Sequence, residues 1–233
     1  MAAARYDTIG SGYSHNRRED PQLRDRIIGS LGDARSVVNV GAGSGSYEPQ
    51  DRLVVAIEPS VVMISQRAAD AAPVVRASAR RLPLRDDSVD AAMAVLTIHH
   101  WDEGLDAGLT ELRRVARGPV VVVTYDADVS NQMWLIRDYL PEVAALDRST
   151  FPSIDRLASA LGGDVEIDVV LTSRDTPDWT LGSFWAHPER VLDARARNST
   201  SGLARMEPAV IDRLVTELRR DLDDGSWEQR YGS

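Results

Sequence analysis

An apolar run of strand length, Val37-Val38-Asn39-Val40, empties into three glycines at alternate positions, Gly41, Gly43 and Gly45. The next apolar run, Leu53-Val54-Val55-Ala56-Ile57, ends on an acid, Glu58. Glycines at the carboxyl end of a strand let the backbone turn through dihedrals that other residues avoid, and they let a ligand approach without a Cβ in the way. An acid at the tip of the neighbouring strand is placed to accept hydrogen bonds from ribose hydroxyls. Together these features describe half of an adenosine-binding crevice. The same turn would also serve an α/β protein that binds nothing there.

The spacing restricts the ligand. The dinucleotide fingerprint needs G-x-G-x-x-G opening a long helix. Here the third glycine comes one residue early, and Ser46 stands where that fingerprint requires glycine. Only Ser46 to Arg52 separates the loop from the next strand, with Pro49 in the middle. That leaves room for about one helical turn, a poor platform for a pyrophosphate. A phosphate-binding P-loop is excluded, because the chain contains no lysine. An adenosyl ligand without phosphate fits best.

Beyond the loop, strand-like and helix-like segments alternate. Pro59-Ser60 opens a helix bearing Val61, Met63, Ile64 and Ala68, and Pro73 to Arg76 reads as a third strand. Val89 to Ile98 is apolar over most of its length, as in a strand buried on both faces. Asp102 is positioned to cap a helix whose Leu105, Leu109, Leu112 and Val115 share a face. Val120 to Val123 reads as a fifth strand. Ser153 caps a helix closed by Gly162-Gly163; Val165, Ile167, Val169 and Leu171 then alternate as in a strand, and Pro208 opens a final helix. Strands alternating with helices imply a mostly parallel sheet wrapped on both faces. Residues 126–152 and 172–207 break the rhythm. They carry aromatic residues, and are read as excursions that wall a substrate pocket.

Composition narrows the class. With 233 residues the chain buries a large core, and it is read as one domain over residues 1–233. It has no cysteine, which removes disulfides, thiolate metal sites and thiol nucleophiles together. A net charge of −9 disfavours non-specific nucleic-acid binding. No apolar run approaches the ~18 residues of a membrane span. The amino-terminal stretch has no apolar core of signal-peptide length, so the cytoplasm is the expected compartment. Arginine without lysine, with abundant Ala, Val and Asp, points to a GC-rich bacterial genome. No metal-ligating constellation stands out.

Four segments in order then resemble one family, the class I S-adenosylmethionine-dependent methyltransferases, in the type 11 small-molecule group that includes ubiquinone and menaquinone biosynthesis enzymes. Val37 to Gly45 matches the glycine-rich motif, and Val54 to Ser60 matches the second strand with its ribose acid. Ala77 to Asp90 resembles the "D-A-x-x-L-P-F-x-D-x-S-F-D" segment, and Val95 to Trp101 the tip of the fourth strand. The likeness covers residues 37 to about 125. It implies a Rossmann-like, doubly wound sheet of six or seven strands with helices on both faces. It also implies methyl transfer from S-adenosylmethionine to a small-molecule acceptor, with S-adenosylhomocysteine as product, by a monomer or homodimer. A fold member that keeps the ligand but transfers no methyl (a cyclase, hydrolase or interaction subunit) is the alternative.

The resemblance also assigns residues. Gly41, Ala42, Gly43 and Gly45 would pass under the methionine portion, and Glu58 would take the ribose hydroxyls. Pro59 and Met63 would pack on the adenine, Met63 serving equally well as core. Ser78 and Ala79 would border the adenine edge, while Leu96 and Thr97 would offer backbone groups near the sulfonium. Residues 1–30 resemble a helical lead-in or lid in which Tyr6, Tyr13, Arg17 and Arg18 recur, with Tyr13 and Arg18 facing the ligand. Methyl transfer needs alignment above all, and a base only when the acceptor must lose a proton. His100 and His99 are the candidates for that base. Tyr125, Trp134, Trp179 and Trp185 are expected in the substrate pocket. Two departures stand out: Asn39 replaces a first-strand acid, for which Glu48 is a substitute, and Ser78 replaces the Asp that usually receives the adenine amino group. The tail from Gly225 also lacks the run that a seventh strand requires.

Overall fold

The computed structural model of the chain describes residues 18–232. Its described residues contain one sheet of five parallel strands, β1 (Ser36–Val40), β2 (Leu53–Ile57), β3 (Val74–Val75), β4 (Ala91–Val95) and β5 (Val120–Val123), in the order β3-β2-β1-β4-β5. β1 pairs with β2 on one side and β4 on the other, so the order reverses at the β1/β4 boundary. That boundary is the switch point at which open α/β sheets leave a crevice beyond their strand ends.

The sheet is covered on both faces, as its unbroken apolar strands require. Val37 and Met93 face one way, with Val54, Ala91 and Val121, and pack on Ile27 and Leu31 at the end of α1 (Pro21–Ser30). Asp20 caps α1 by accepting from the Gln22 and Leu23 amides. A one-turn helix, α2 (Val61–Ser65), follows β2, with the Ser60 hydroxyl accepting from the Met63 amide. Val38, Val40, Ala92 and Ala94 face the other way. They meet Leu105, Leu109, Leu112 and Val115 of α3 (Leu105–Val115), together with Leu157 of a later helix at Ile154–Leu161. The leucine spacing of α3 places one apolar stripe on the sheet, where full burial of each side chain contributes about 1.5–3 kcal/mol.

Three expectations are corrected. Among the described residues the sheet has five strands rather than six or seven. Residues 164–169 alternate acidic and apolar side chains, but residues 164–171 pair with no strand among the described residues, and Val165, Ile167, Val169 and Leu171 are 42–76% exposed. Alternation specifies a two-faced ribbon, not a partner for it, and strand formation depends on that context. Asp102 does not cap α3: it sits at φ 45° in a helical turn at Asp102–Gly104, and α3 begins at Leu105 after Gly104, which provides no side-chain cap. The tail is helical, as its lack of a strand-like run allows, with helices at Pro208–Asp223 and Ser226–Tyr231.

The chain divides into two compact units. The first holds residues 19–125 and 150–170, and thus the whole sheet. The second takes in residues 126–149 and 171 onward, including most of both excursions. Its core gathers Trp134, Leu135, Ile136, Tyr139, Val143, Phe184, Val191, Leu203, Leu214, Leu218 and Trp227. The last helix is clasped there by rings and charge. Trp227 meets Trp134 edge-on at 5.3 Å, and Tyr231 stacks on Trp134 at 5.6 Å. Asp221 is buried and accepts from the Tyr139 hydroxyl at 2.7 Å, from Arg220, and from Arg230 on that helix. The Tyr139 hydroxyl and the two guanidiniums hold the Asp221 carboxyl down at about 2.

Asp147 is the opposite case. It lies on the buried face of the helix Pro141–Thr150, beside Val143 and Ala144, and burial pushes its carboxyl up to about 6, with the Arg205 charge opposing. A folded-state value above the unfolded one means that ionisation disfavours the fold, so stability falls as the pH rises from about 4 to about 6. Asp147→Asn is therefore expected to match the wild type near pH 4 and to exceed it above pH 7 by on the order of 1–2 kcal/mol. Urea unfolding across that range measures this; parallel curves for the two proteins would contradict it.

Candidate functional site

At the carboxyl end of β1 the chain turns on Gly41, with φ 73°. The amides of Gly41 and Ala42 both donate to the Ile57 carbonyl, at 2.8 and 3.0 Å, which ties the glycine loop to the end of β2. A Cβ on Gly41 would drive into the side chain of Thr97. One on Gly43, at φ 53°, would meet Met63 Cε at 3.3 Å. Glycine at position 41 thus serves the loop's own packing, since Thr97 occupies the space that a Cβ would need, whereas at Gly43 the positive φ is the stronger requirement. Met63 is correspondingly a core side chain, 3% exposed.

Glu58 follows β2 and is 5% exposed. Its Oε2 accepts the Gly43 amide and its Oε1 the Ser60 amide, both at 2.8 Å. Pro59 beside it is half-buried, and its carbonyl accepts from Arg76 Nε at 3.2 Å. Glu48 is also buried, but its carboxylate is turned onto Arg67, at 2.8 Å, and accepts from the Asn39 amide group at 3.2 Å.

The tip of β4 forms the opposite wall. Leu96 holds φ 52°, a conformation that costs a non-glycine residue of order 1 kcal/mol or more, and its amide donates to the Val123 carbonyl at 2.9 Å. Thr97 is buried, and a single helical turn, Ile98–His100, follows. His99 is buried and His100 half-buried, with ring centroids 3.8 Å apart. His99 stacks on Phe151 at 4.5 Å, and Tyr125, just beyond β5, meets the same ring edge-on at 6.1 Å. The Thr124 hydroxyl is buried with no hydrogen-bond partner among the described residues. Ala79 is buried near Trp101, whose ring occupies the space that a side chain on Gly108 would take. Ser78 is exposed, and its hydroxyl accepts the Arg80 amide at 3.3 Å. Arg114 braces the following segment by donating to the Leu82 and Leu84 carbonyls and to Glu111 and Asp86.

The first unit thus brings together Gly41, Ala42, Gly43, Gly45, Glu58, Pro59 and Met63 along the ends of β1 and β2. Leu96, Thr97, His99, His100 and Tyr125 gather along those of β4 and β5. Arg18 is exposed, and Tyr6, Tyr13, His15 and Arg17 lie outside the described residues. Of the tryptophans expected in a pocket, Trp134 is core of the second unit: it is 8% exposed, and its indole donates to the Trp185 carbonyl at 2.8 Å. Trp179 is half-buried under the Arg190 guanidinium at 4.5 Å. Trp185 is 40% exposed, and its indole donates to the Thr172 carbonyl. Sequence reasoning missed Thr124, Phe151 and Arg67. Arg67 lies past the end of α2, so helical spacing from Met63 carried no signal for it.

Residues 38–123 match the family model described as a methyltransferase domain. No curated protein matches the chain. Among solved structures it is similar to a protein of Anabaena variabilis, described as a candidate methyltransferase from an antibiotic biosynthesis pathway. The identity is 29%, the match covers 93% of this chain and 92% of that one, and the TM-score is 0.86. It shares its fold with an S-adenosylmethionine-dependent methyltransferase of Thermotoga maritima at 22% identity, with 67% and 77% of the two chains covered and a TM-score of 0.52.

Gly41→Ala forces a Cβ into a left-handed conformation and into Thr97. The expected loss is at least about 1–2 kcal/mol from the backbone alone, with more from the displaced threonine. Thr97→Ala added to Gly41→Ala removes the collision and leaves the backbone term, so it should recover only part. Chemical denaturation of the two variants separates these contributions; equal stability of the two would show that Thr97 does not require the glycine.

Proposed function

We propose, from the premise that this chain is a class I S-adenosylmethionine-dependent methyltransferase, that its acceptor is a small molecule and that the strand tips described above hold the reactants. The observation that carries this reading is Glu58, a buried carboxylate beside the switch point that accepts the Gly43 amide on Oε2 and the Ser60 amide on Oε1. A carboxylate at this strand end has the chemistry to take ribose hydroxyls as charge-assisted hydrogen bonds.

When bound, S-adenosylmethionine supplies an electrophilic methyl group, which the acceptor's lone pair takes in line with the breaking S–CH₃ bond. The chain's part is chiefly orientation. Gly41, Ala42, Gly43 and Gly45 carry the methionine portion, and Pro59, Met63, Ser78 and Ala79 border the adenine. Leu96 and Thr97 offer backbone groups near the sulfur, which is a reason for the strained Leu96 to persist. The resemblance assigns Tyr13 and Arg18 of the amino-terminal lead-in to the same ligand. His100, with His99 stacked behind it on Phe151, takes the acceptor's proton where the acceptor must lose one. Tyr125 contributes to acceptor choice.

Calorimetric titration is expected to show S-adenosylmethionine and S-adenosylhomocysteine binding near one per chain, with NAD silent. Glu58→Gln should weaken both by at least about tenfold, the value of a charged hydrogen bond. Failure of both sulfur ligands to bind would overturn the site, and binding without methylated product in an acceptor screen would favour a non-transferring fold member. Once an acceptor is found, His100→Ala should lower kcat by about 10²-fold or more while leaving S-adenosylhomocysteine affinity unchanged. An unchanged kcat would remove the histidine from the chemistry.

A further inference from the structure

We infer that Arg67, Glu48 and Asn39 form a buried, charge-balanced brace that positions the glycine loop for its ligand; this deepens, and rests on, the cofactor reading above. The Arg67 and Glu48 side chains are 5% and 3% exposed. Arg67 Nη2 donates to both carboxylate oxygens of Glu48, at 2.9 and 2.8 Å, and to the Ala72 carbonyl at 3.0 Å. Nη1 reaches the Gly43 carbonyl at 3.3 Å. Glu48 also accepts from the Ala72 amide at 3.3 Å and from Asn39 Nδ2 at 3.2 Å. One cation, one anion and one neutral amide thereby tie β1, the glycine loop and the segment after α2 to a single buried point.

The brace acts on Gly43. Its carbonyl is held by Arg67 and its amide by Glu58, so the tilt of that stretch is set from both sides. Gly45 faces the brace as well: a Cβ there would lie 3.3 Å from Arg67 Nη1 and 3.4 Å from Glu48 Oε2. A buried ion pair is a poor source of net stability, because desolvation offsets its attraction, but it is strongly directional. Arg67 is therefore a positioning residue whose effect reaches the ligand through Gly43 and the aim of Glu58. The charge count explains the amide at position 39. An aspartate there would set two carboxylates against one guanidinium in a closed site, leaving one negative charge unbalanced. Moving the acid to position 39 and the amide to position 48 would restore the balance.

The test uses four variants of the whole chain. Arg67→Lys keeps the charge but lacks the fork that reaches Glu48, Ala72 and Gly43 together. Asn39→Asp unbalances the cluster, and Asn39→Asp with Glu48→Gln rebalances it. Leu203→Ala, in the core of the second unit, is a control for general destabilisation. S-adenosylhomocysteine affinity is read by calorimetry, and amide hydrogen exchange is followed in peptides covering residues 41–46. Arg67→Lys and Asn39→Asp should each weaken binding at least about tenfold and speed exchange in that loop. The double variant should return to within about threefold of the wild type, and Leu203→Ala should change neither measurement. Wild-type affinity and exchange in Arg67→Lys, or a double variant no better than Asn39→Asp, would overturn the brace. Should Arg67→Lys fail to fold, the comparison of Asn39→Asp with the double variant decides. Should the wild type bind no S-adenosylhomocysteine, the cofactor reading falls, and loop exchange alone then decides on the brace.

Discussion

The candidate site depends on how one short stretch of backbone is gripped. Glu58 takes the Gly43 amide while Arg67 takes the Gly43 carbonyl. Each gripping side chain is itself anchored, Glu58 on the Ser60 amide and Arg67 on Glu48 and Ala72. A loop of glycines has the widest conformational freedom of any segment and loses the most entropy on ordering. Buried charge-assisted hydrogen bonds at both ends of Gly43 offset that cost. They turn a permissive loop into a fixed floor beside the place where the strand order reverses.

That floor depends in turn on the sheet. Parallel strands need cover on both faces, and the chain provides it with α1 on one side and with α3 and the helix Ile154–Leu161 on the other. The resulting register puts the ends of β1, β2, β4 and β5 at one edge, so residues far apart in sequence share a site: Gly41 lies under Thr97, and Phe151 stacks on His99. The strained Leu96 lies in this edge, where a rigid frame can hold an unfavourable dihedral. The second unit is organised around different physics, a cluster of aromatic rings closed by the Asp221–Arg230–Tyr139 network.

Much of the first unit was legible in sequence because its signals are local. Apolar runs marked all five strands, most of them bounded by glycine or proline, the leucine period marked α3, and Ser60 and Ser153 marked helix starts that their side chains do cap. Glu58 was legible because a charged residue ending an apolar strand has few reasons to be there. The errors have a common cause. Residues 164–169 alternate as a strand should, yet whether they pair depends on a neighbour that the segment does not encode. Asp102 has the chemistry of a cap, but two helical turns precede α3 and leave it at the wrong step. Trp134 looked like pocket aromatic material, and only the packing of Trp227 and Tyr231 around it made it core.

By itself, the sequence determined a parallel sheet wrapped by helices, a glycine loop without room for a pyrophosphate helix, and the acid beside it. These follow from periodicity, glycine spacing and segment length, each confined to a dozen residues or so. Only the tertiary structure decided which partner each polar group meets. Nothing local in Glu48 says that its charge belongs to Arg67 rather than to a ligand, nor that Gly41 makes room for Thr97. Those pairings arise when strands and loops distant along the chain converge at one sheet edge. Burial then makes an unpartnered charge too costly to tolerate, so each carboxylate is held by whatever donor the fold brings to it.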